Sequence, residues 1–313
     1  MEVIRGANNL SRPLNKPVVT IGNFDGIHIG HQDLIKKVLY AAKNRAGTSA
    51  IYTFRPHPQA ILTSDVELEL LLTYDEKLEL MAELGVDVII EEPFNKDFSF
   101  TEPERFFYDV LIKRVGAEEI IIGFDFAFGR KRHGTLPVLE SMCRRAGIGF
   151  SALPPYRSGT EVVSSSAIRR YLKSGDIINA NRLSGREFFY RGVVMHGDRR
   201  GHELGFPTAN FRVEGKLELP YGVYATVTSC SGKNYPSVTN IGVRPTFCGP
   251  IKPLIETHLI NTDIDLYGIG IEVKFLRYLR SERKFSDAND LKTQIAKDID
   301  ETLTKPPWTL KIK

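Results

Sequence analysis

The run Gly22-Asn23-Phe24-Asp25-Gly26-Ile27-His28-Ile29-Gly30-His31 is the first in the chain whose residue types and spacing suit chemistry. It lies between a short apolar stretch and an amphipathic one, so it reads as a strand ending in a turn that opens a helix. The free backbone N–H groups of a helix start favour a phosphate. Gly26 and Gly30 let the backbone turn and approach a ligand closely. His28 and His31, one turn apart, can donate to phosphate oxygens from the same side. No GxxxxGK[ST] is present, so this is not a P-loop. Two histidines in a loop are by themselves more often incidental, and a metal site lacks a third ligand nearby in sequence.

Two further constellations follow. Val163-Ser164-Ser165-Ser166-Ala167-Ile168-Arg169 places hydroxyls at a helix start, with Arg169 able to neutralise charge on a leaving group. Its plain alternative is a serine-rich helix cap beside a surface arginine. Residues 197–210 read GDRRGHELGFPTAN, in which Gly197, Gly201 and Gly205 offer backbone to phosphates. The Thr208 hydroxyl and Asn210 carbonyl are hard oxygens of the kind Mg²⁺ accepts. The alternative is a tight turn and an edge strand. Glu256, within IETHLI, has by alternation the look of a solvent-facing strand residue.

The elements that must position these residues change character along the chain. Strands are expected at Pro17–Gly22, Thr48–Phe54, Val86–Ile90 and Glu119–Ile122, and helices from His31 to about Gly47, at Thr73–Leu84 and at Thr101–Val115. Strands alternating with helices imply a parallel sheet covered on both faces. Helices are expected from Ser165 and at Ile177–Leu183. From Phe188 come short extended runs broken by Gly and Pro, which suggest a small antiparallel barrel or sandwich, closed by a helix at Asp287–Glu301. The expected boundary lies near Leu183–Glu187, giving domains 1–183 and 184–313.

Composition excludes several classes. At 313 residues, 42% hydrophobic and 26% charged, the chain is an ordinary two-domain globular length and balance. Residues 1–183 carry 23 basic and 23 acidic side chains, and the remainder 19 and 15, so the net +4 sits in the second part. That bias is too mild to argue for nucleic acid. Cys143, Cys230 and Cys248 stand far apart, against a disulfide framework or zinc site. No apolar run approaches membrane-span length and the start lacks the apolar core of a signal peptide. A cytoplasmic protein with no membrane partner is expected.

Taken together, the motifs resemble a known family. Strand–GxFDGxHxGH–helix is similar to the nucleotidylyltransferase signature, and Val163–Arg169 to the (I/V)SSTxIR segment of small adenylyltransferases. His28–His31 also spells the class I aminoacyl-tRNA synthetase motif, but no KMSKS-type lysine loop follows. Thr53-Phe54-Arg55-Pro56-His57-Pro58, Leu72–Lys77 and Gly123-Phe124-Asp125-Phe126-Ala127-Phe128-Gly129 resemble segments of prokaryotic FAD synthetases. GFPTAN, LPYGVYA, NIGVRPTF, IETHL, DLYG and FLR resemble riboflavin kinase segments in the right order. The chain is thus similar, from about residue 17 to residue 300, to the bacterial bifunctional riboflavin kinase/FMN adenylyltransferase family.

The resemblance implies a Rossmann-like α/β domain with a parallel sheet, then a small antiparallel β-barrel with a C-terminal helix. It implies ATP contacts in the first domain at Gly22, Asn23, Phe24, Asp25, Gly26, His28, Gly30, His31, Asp125, Ser164, Ser165 and Arg169. In the second it implies ATP and flavin contacts at Gly197, Gly201, Gly205, Pro207, Thr208, Asn210 and Glu256, with Mg²⁺ on Thr208 and Asn210 and Glu256 as general base. The implied partners are riboflavin, FMN and ATP. Arg55 where the family often has Asp, His202 for Arg or Lys, and Asn261-Thr262 for Asp-Phe are departures. The rival readings are another HxGH adenylyltransferase with an unrelated barrel, and a non-enzymatic flavin- or RNA-binding protein.

Overall fold

A computed structural model describes residues 1–63, 69–196, 201, 204–213, 216–242, 253–262 and 264–304. Two compact units divide the chain, Met1–Val163 and Ser164–Lys313.

The first unit is built on strands β1 (Glu2–Arg5), β2 (Val18–Ile21), β3 (Ser49–Arg55), β4 (Val88–Pro93), β5 (Glu119–Gly123) and β6 (Gly149–Leu153). Their order is β1-β4-β3-β2-β5-β6 and every pairing is parallel. All four residues of β2, Val-Val-Thr-Ile, are buried, which is why its sequence is β-branched throughout and does not alternate apolar with exposed polar residues. The helices are α1 (Ile29–Asn44), α2 (Pro58–Leu62), α3 (Tyr74–Glu83), α4 (Lys96–Ser99), α5 (Pro103–Arg105), which runs into a π-helix at Phe106–Val115, and α6 (Leu136–Ala146). A two-strand hairpin, β7 (Arg157–Ser158) and β8 (Glu161–Val162), follows. Val19, Ile21, Tyr52, Ile90, Phe107, Leu111, Ile122 and Met142 are among the core residues.

The expected alternation of strand and helix is present. Beyond it the structure adds β1 at the sheet edge and the α6–β6 pair. The helix expected from His31 begins two residues earlier, with His28 as its N-cap. The helix expected at Thr101–Val115 begins at Pro103. α3 starts in a full capping box, Thr73 Oγ1 accepting from Glu76 N and the Glu76 carboxylate from Thr73 N.

The second unit opens with α7 (Ser165–Lys173) and α8 (Ile177–Ser184). Strands β9 (Phe188–Val193), β10 (Ala209–Phe211), β11 (Gly222–Cys230), β12 (Lys233–Gly242), β13 (Leu254–Leu259) and β14 (Gly270–Arg280) form an antiparallel sheet in the order β10-β13-β12-β11-β14-β9. The bridge between Met195 and Asn210 joins the continuation of β9 to β10, so the two ends of the sheet meet and the barrel closes. Register shifts between β11 and β14 supply curvature. Inside, Thr226, Thr228, Ser237, Thr239 and Thr257 are fully buried and bond one another at 2.8–3.2 Å. Each hydroxyl thereby meets the partner that burial demands. Helix α9 (Ala288–Thr304) packs on β11 and β12.

Candidate active sites

In the first unit β2 and β5 are neighbours, Val18 opposite Glu119 and Val19 opposite Ile120. The chain therefore leaves both strands at one edge of the sheet, at Gly22 and at Gly123. From β2 it proceeds to β3 on one side, and from β5 to β6 on the other. Such a divergence opens a crevice outside the carboxyl ends of the strands, where open α/β sheets bind ligands.

The Gly22–His28 loop in that place is tightly determined. Gly22 N donates to Tyr52 O at 3.0 Å. Phe24 and Ile27, both buried, sit at positive φ, 51° and 37°, a strained backbone typical of functional turns. Gly26 has φ +87°, and a Cβ there would meet Leu71 Cδ1 at 2.7 Å. The buried Asp25 carboxylate accepts from Leu71 N at 3.1 Å and ties the loop to the segment before α3. His31 N donates to His28 Nδ1 at 3.2 Å, which places the proton of a neutral His28 ring on Nε2. The two imidazoles stack at 3.6 Å, with the Phe24 ring edge-on to His31 at 5.2 Å. Gly30 is part of the first turn, beneath the His28 ring. Asn23 presents its carbonyl to Lys77 Nζ at 3.4 Å.

Asp125 is exposed on the loop after β5, its carbonyl accepting from Arg132 Nη2 at 3.3 Å. Ser164, Ser165 and Arg169 belong to the second unit. Ser164 is the N-cap of α7, its Oγ accepting from Ala167 N at 3.2 Å, and Ser165 and Arg169 occupy the first turns of that helix. Three buried polar residues have no role in the sequence reading: Thr53 and Lys77, named there only as parts of family-like segments, and Glu91, which it passes over. The signal available for Thr53 and Lys77 is that each lies in a segment resembling the family, the lysine directly after Glu76 of the capping box.

In the barrel, strand register assembles the second constellation. Glu256 lies directly opposite Asn210 on β10 and Asn240 on β12. Thr257 belongs to the interior hydroxyl cluster, so its neighbour Glu256 faces the other side of the sheet. Asn210 is 5% exposed, and its Oδ1 has no hydrogen-bond partner while Nδ2 donates to Thr208 O at 3.2 Å. A buried carbonyl oxygen without a donor suits a cation ligand. Gly201 O accepts from Phe206 N at 2.8 Å, and a Cβ at Gly201 would lie 2.5 Å from Phe206 O and 3.2 Å from Thr208 Oγ1. Gly205 turns at φ +86°. Pro207 O lies 2.8 Å from His258 Nδ1. Gly197, His202 and Val243–Phe247 lie outside the described residues.

Comparison with known proteins matches each unit to its own family. FAD synthetase matches residues 11–167 and riboflavin kinase residues 184–305. The bifunctional riboflavin kinase/FMN adenylyltransferase of Bacillus subtilis is 36% identical over 293 residues, 92% of either chain. That of Escherichia coli K12 is 35% identical over 300 residues, 95% of this chain and 96% of its own. A solved structure described as a macrolide-efflux protein from Streptococcus pneumoniae has a TM-score of 0.88 and 27% identity, covering 97% of this chain and 99% of that one. Among the described residues no helix is long and apolar enough to cross a membrane.

Proposed function

The chain belongs to the bifunctional riboflavin kinase/FMN adenylyltransferase family, and from that premise we propose which residues carry its two reactions. It phosphorylates riboflavin with ATP to FMN, then adenylylates FMN with ATP to FAD and pyrophosphate. Residues 184–313 are assigned the first reaction and residues 1–183 the second. Segment 164–183 therefore carries an adenylyl-transfer motif while clustering with the barrel.

For phosphorylation the nucleophile is a neutral alcohol, the ribityl 5′-hydroxyl, and a positioned base is needed to take its proton. Glu256 is that base. Asn210 Oδ1 and the Thr208 hydroxyl hold Mg²⁺, which when bound offsets charge on the ATP phosphates. Gly197, Gly201, Gly205 and Pro207 shape the loop that receives those phosphates. The observation that carries this assignment is the register that sets Glu256 opposite the partnerless Asn210 Oδ1.

For adenylyl transfer the nucleophile needs no base. A phosphate monoester has its second pKa near ~6 and is mostly dianionic at neutral pH. The FMN phosphate attacks the α-phosphorus of ATP and pyrophosphate leaves. The protein's part is positioning and charge stabilisation. His28 and His31 at the start of α1, with Arg169 and the Ser164–Ser165 helix start, supply donors. Gly22, Asn23, Phe24, Asp25, Gly26 and Gly30 form the loop that lets the nucleotide approach, and Asp125 completes the crevice edge. We place the enzyme in the cytoplasm, in keeping with the free, buried Cys143 and Cys230.

Chromatographic separation of the products from riboflavin and ATP, with and without Mg²⁺, tests the reading. FMN followed by FAD is expected, both dependent on the cation. Phosphorylation that persists in excess chelator would remove Thr208 and Asn210 from the metal role.

A further inference from the structure

A cluster of charged and polar groups meets beside the histidine loop, and the chemistry above uses almost none of it. Lys77 on α3 is 6% exposed, and its Nζ lies 3.4 Å from Asn23 O and 3.3 Å from Thr53 Oγ1. The Tyr74 ring stands 5.0 Å from the same nitrogen. Glu91 on β4 is 3% exposed, with Oε2 3.6 Å from Arg55 Nη1 and Oε1 without a hydrogen-bond partner. Arg55 also lies over the Tyr74 ring, at 4.6 Å. A lysine on an amphipathic helix ordinarily carries its ammonium out to water. Burying one is costly unless opposite charge and acceptors meet it, so the placement of this one calls for a role.

The contact with Asn23 supplies one. That carbonyl immediately precedes Phe24, the first of three residues at positive φ in the loop, with Gly26 and Ile27. Holding it fixes the peptide plane that feeds the strained turn, and through the turn the entry into α1.

We propose that Lys77 is a positioning residue for adenylyl transfer: its ammonium clamps the Asn23 carbonyl and holds the loop that presents His28 and His31. The inference rests on the reading of that loop as the adenylyl-transfer site.

The charges that bear on the ammonium are Glu91 of β4, Asp25 of the loop and Arg55 of β3, and the Tyr74 ring of its own helix stands beside it. Burial pushes Lys77 down to about 8, with Arg55 pushing the same way and Glu91 and Asp25 opposing. As pH rises through that value the clamp loses its charge. The contribution to stability runs the other way. Between about 8 and the ordinary 10.5 the unfolded chain binds more protons at this lysine, so Lys77 favours the fold more as pH rises. Alkaline loss of activity through Lys77 is thus separable from alkaline unfolding.

The test follows FAD formation from FMN and Mg-ATP by the full chain across pH, with riboflavin phosphorylation by the same preparation as reference. Adenylylation is expected to fall near pH 8, with no matching fall in phosphorylation. Lys77→Met should lower kcat for FAD formation by about tenfold or more at neutral pH, since misplacement by about 1 Å can cost up to ~10²-fold. Lys77→Arg, charged throughout, should restore most of kcat and abolish the fall near pH 8. Arg55→Gln removes an exposed charge that depresses Lys77 and should move the fall upward by about half a pH unit. Cooperative thermal unfolding checks that each variant is folded. Should Lys77→Met fail to fold, the pH profiles of the other two variants decide. A folded Lys77→Met variant within twofold of wild type, or a fall near pH 8 unmoved in both other variants, overturns the inference. If His28→Ala with His31→Ala leaves FAD formation intact, the underlying reading of the loop fails instead.

Discussion

At His28 and His31 the side chains have divided the work of a helix start. His28 caps the helix through Nδ1, and His31 stacks on it. Both rings are thus held by contacts within the chain itself, the kind of preorganisation that electrostatic stabilisation requires. Replacing both with alanine is expected to stop FAD formation while FMN accumulates from riboflavin. FAD produced by the double variant at near the wild-type rate contradicts the assignment. At Glu256 the test is subtler, because the amide of Glu256→Gln keeps the shape and removes only the base. Phosphorylation should lose about 10²-fold or more in kcat, with adenylylation of added FMN unchanged. An unaltered kcat for phosphorylation moves the base to another residue.

At the scale of elements, the barrel relies on a helix pinned by charge. Arg280 near the end of β14 makes a two-pronged contact with Asp298 on α9, Nε to Oδ2 at 3.0 Å and Nη2 to Oδ2 at 2.8 Å, with Nε also 3.1 Å from Oδ1. Gln294 Nε2 adds a donor at 2.7 Å. The Asp298 side chain is 4% exposed and that of Arg280 19%. Taking away one partner of a buried pair leaves a desolvated charge, which costs about 3–5 kcal/mol. Asp298→Ala is therefore expected to lower the stability of the second unit by about 3 kcal/mol, read as a lower urea midpoint for loss of kinase activity. A midpoint unchanged from wild type means that Arg280 finds water or another partner. An aspartate on the buried face of an amphipathic helix is a mark the sequence does carry. Its partner lies on a different element, and no local pattern names it.

At the scale of the whole molecule, the compact units part at Val163/Ser164, whereas the riboflavin kinase family match begins at residue 184. The difference is α7 and α8. Ile177, Ala180 and Leu183 of α8 are almost completely buried. The Asn181 side chain donates to Phe275 O at 2.8 Å and accepts from Phe188 N at 2.7 Å. A chain beginning at Ser184 lacks these contacts, and burial of an isoleucine and a leucine alone is worth about 3–6 kcal/mol. Residues 164–313 expressed alone should fold and phosphorylate riboflavin without making FAD. Residues 184–313 should unfold at markedly lower temperature, as calorimetry would show. Equal unfolding temperatures would mean that α8 adds nothing to the barrel.

The same helices mark how far the sequence could be read. Its chemistry-bearing runs were legible because each is local: a turn into a helix at residues 22–31, hydroxyls at the start of α7, glycines ahead of β10. So were the buried parallel strands, whose largely apolar runs follow from burial on both faces, and the helix begun at Thr73. β1 was not, since its four residues are mostly exposed at a sheet edge and leave no periodic trace. Nor was the order of the strands, which puts Gly22 and Gly123 at one edge, nor the register that sets Glu256 opposite Asn210 and Asn240. Nor was the burial of Lys77 among Asn23, Thr53 and Tyr74. Those are pairings across dozens of residues, selected by how whole faces pack and satisfy their hydrogen bonds. A neighbour's identity does not encode them, and they exist only once the sheets have closed.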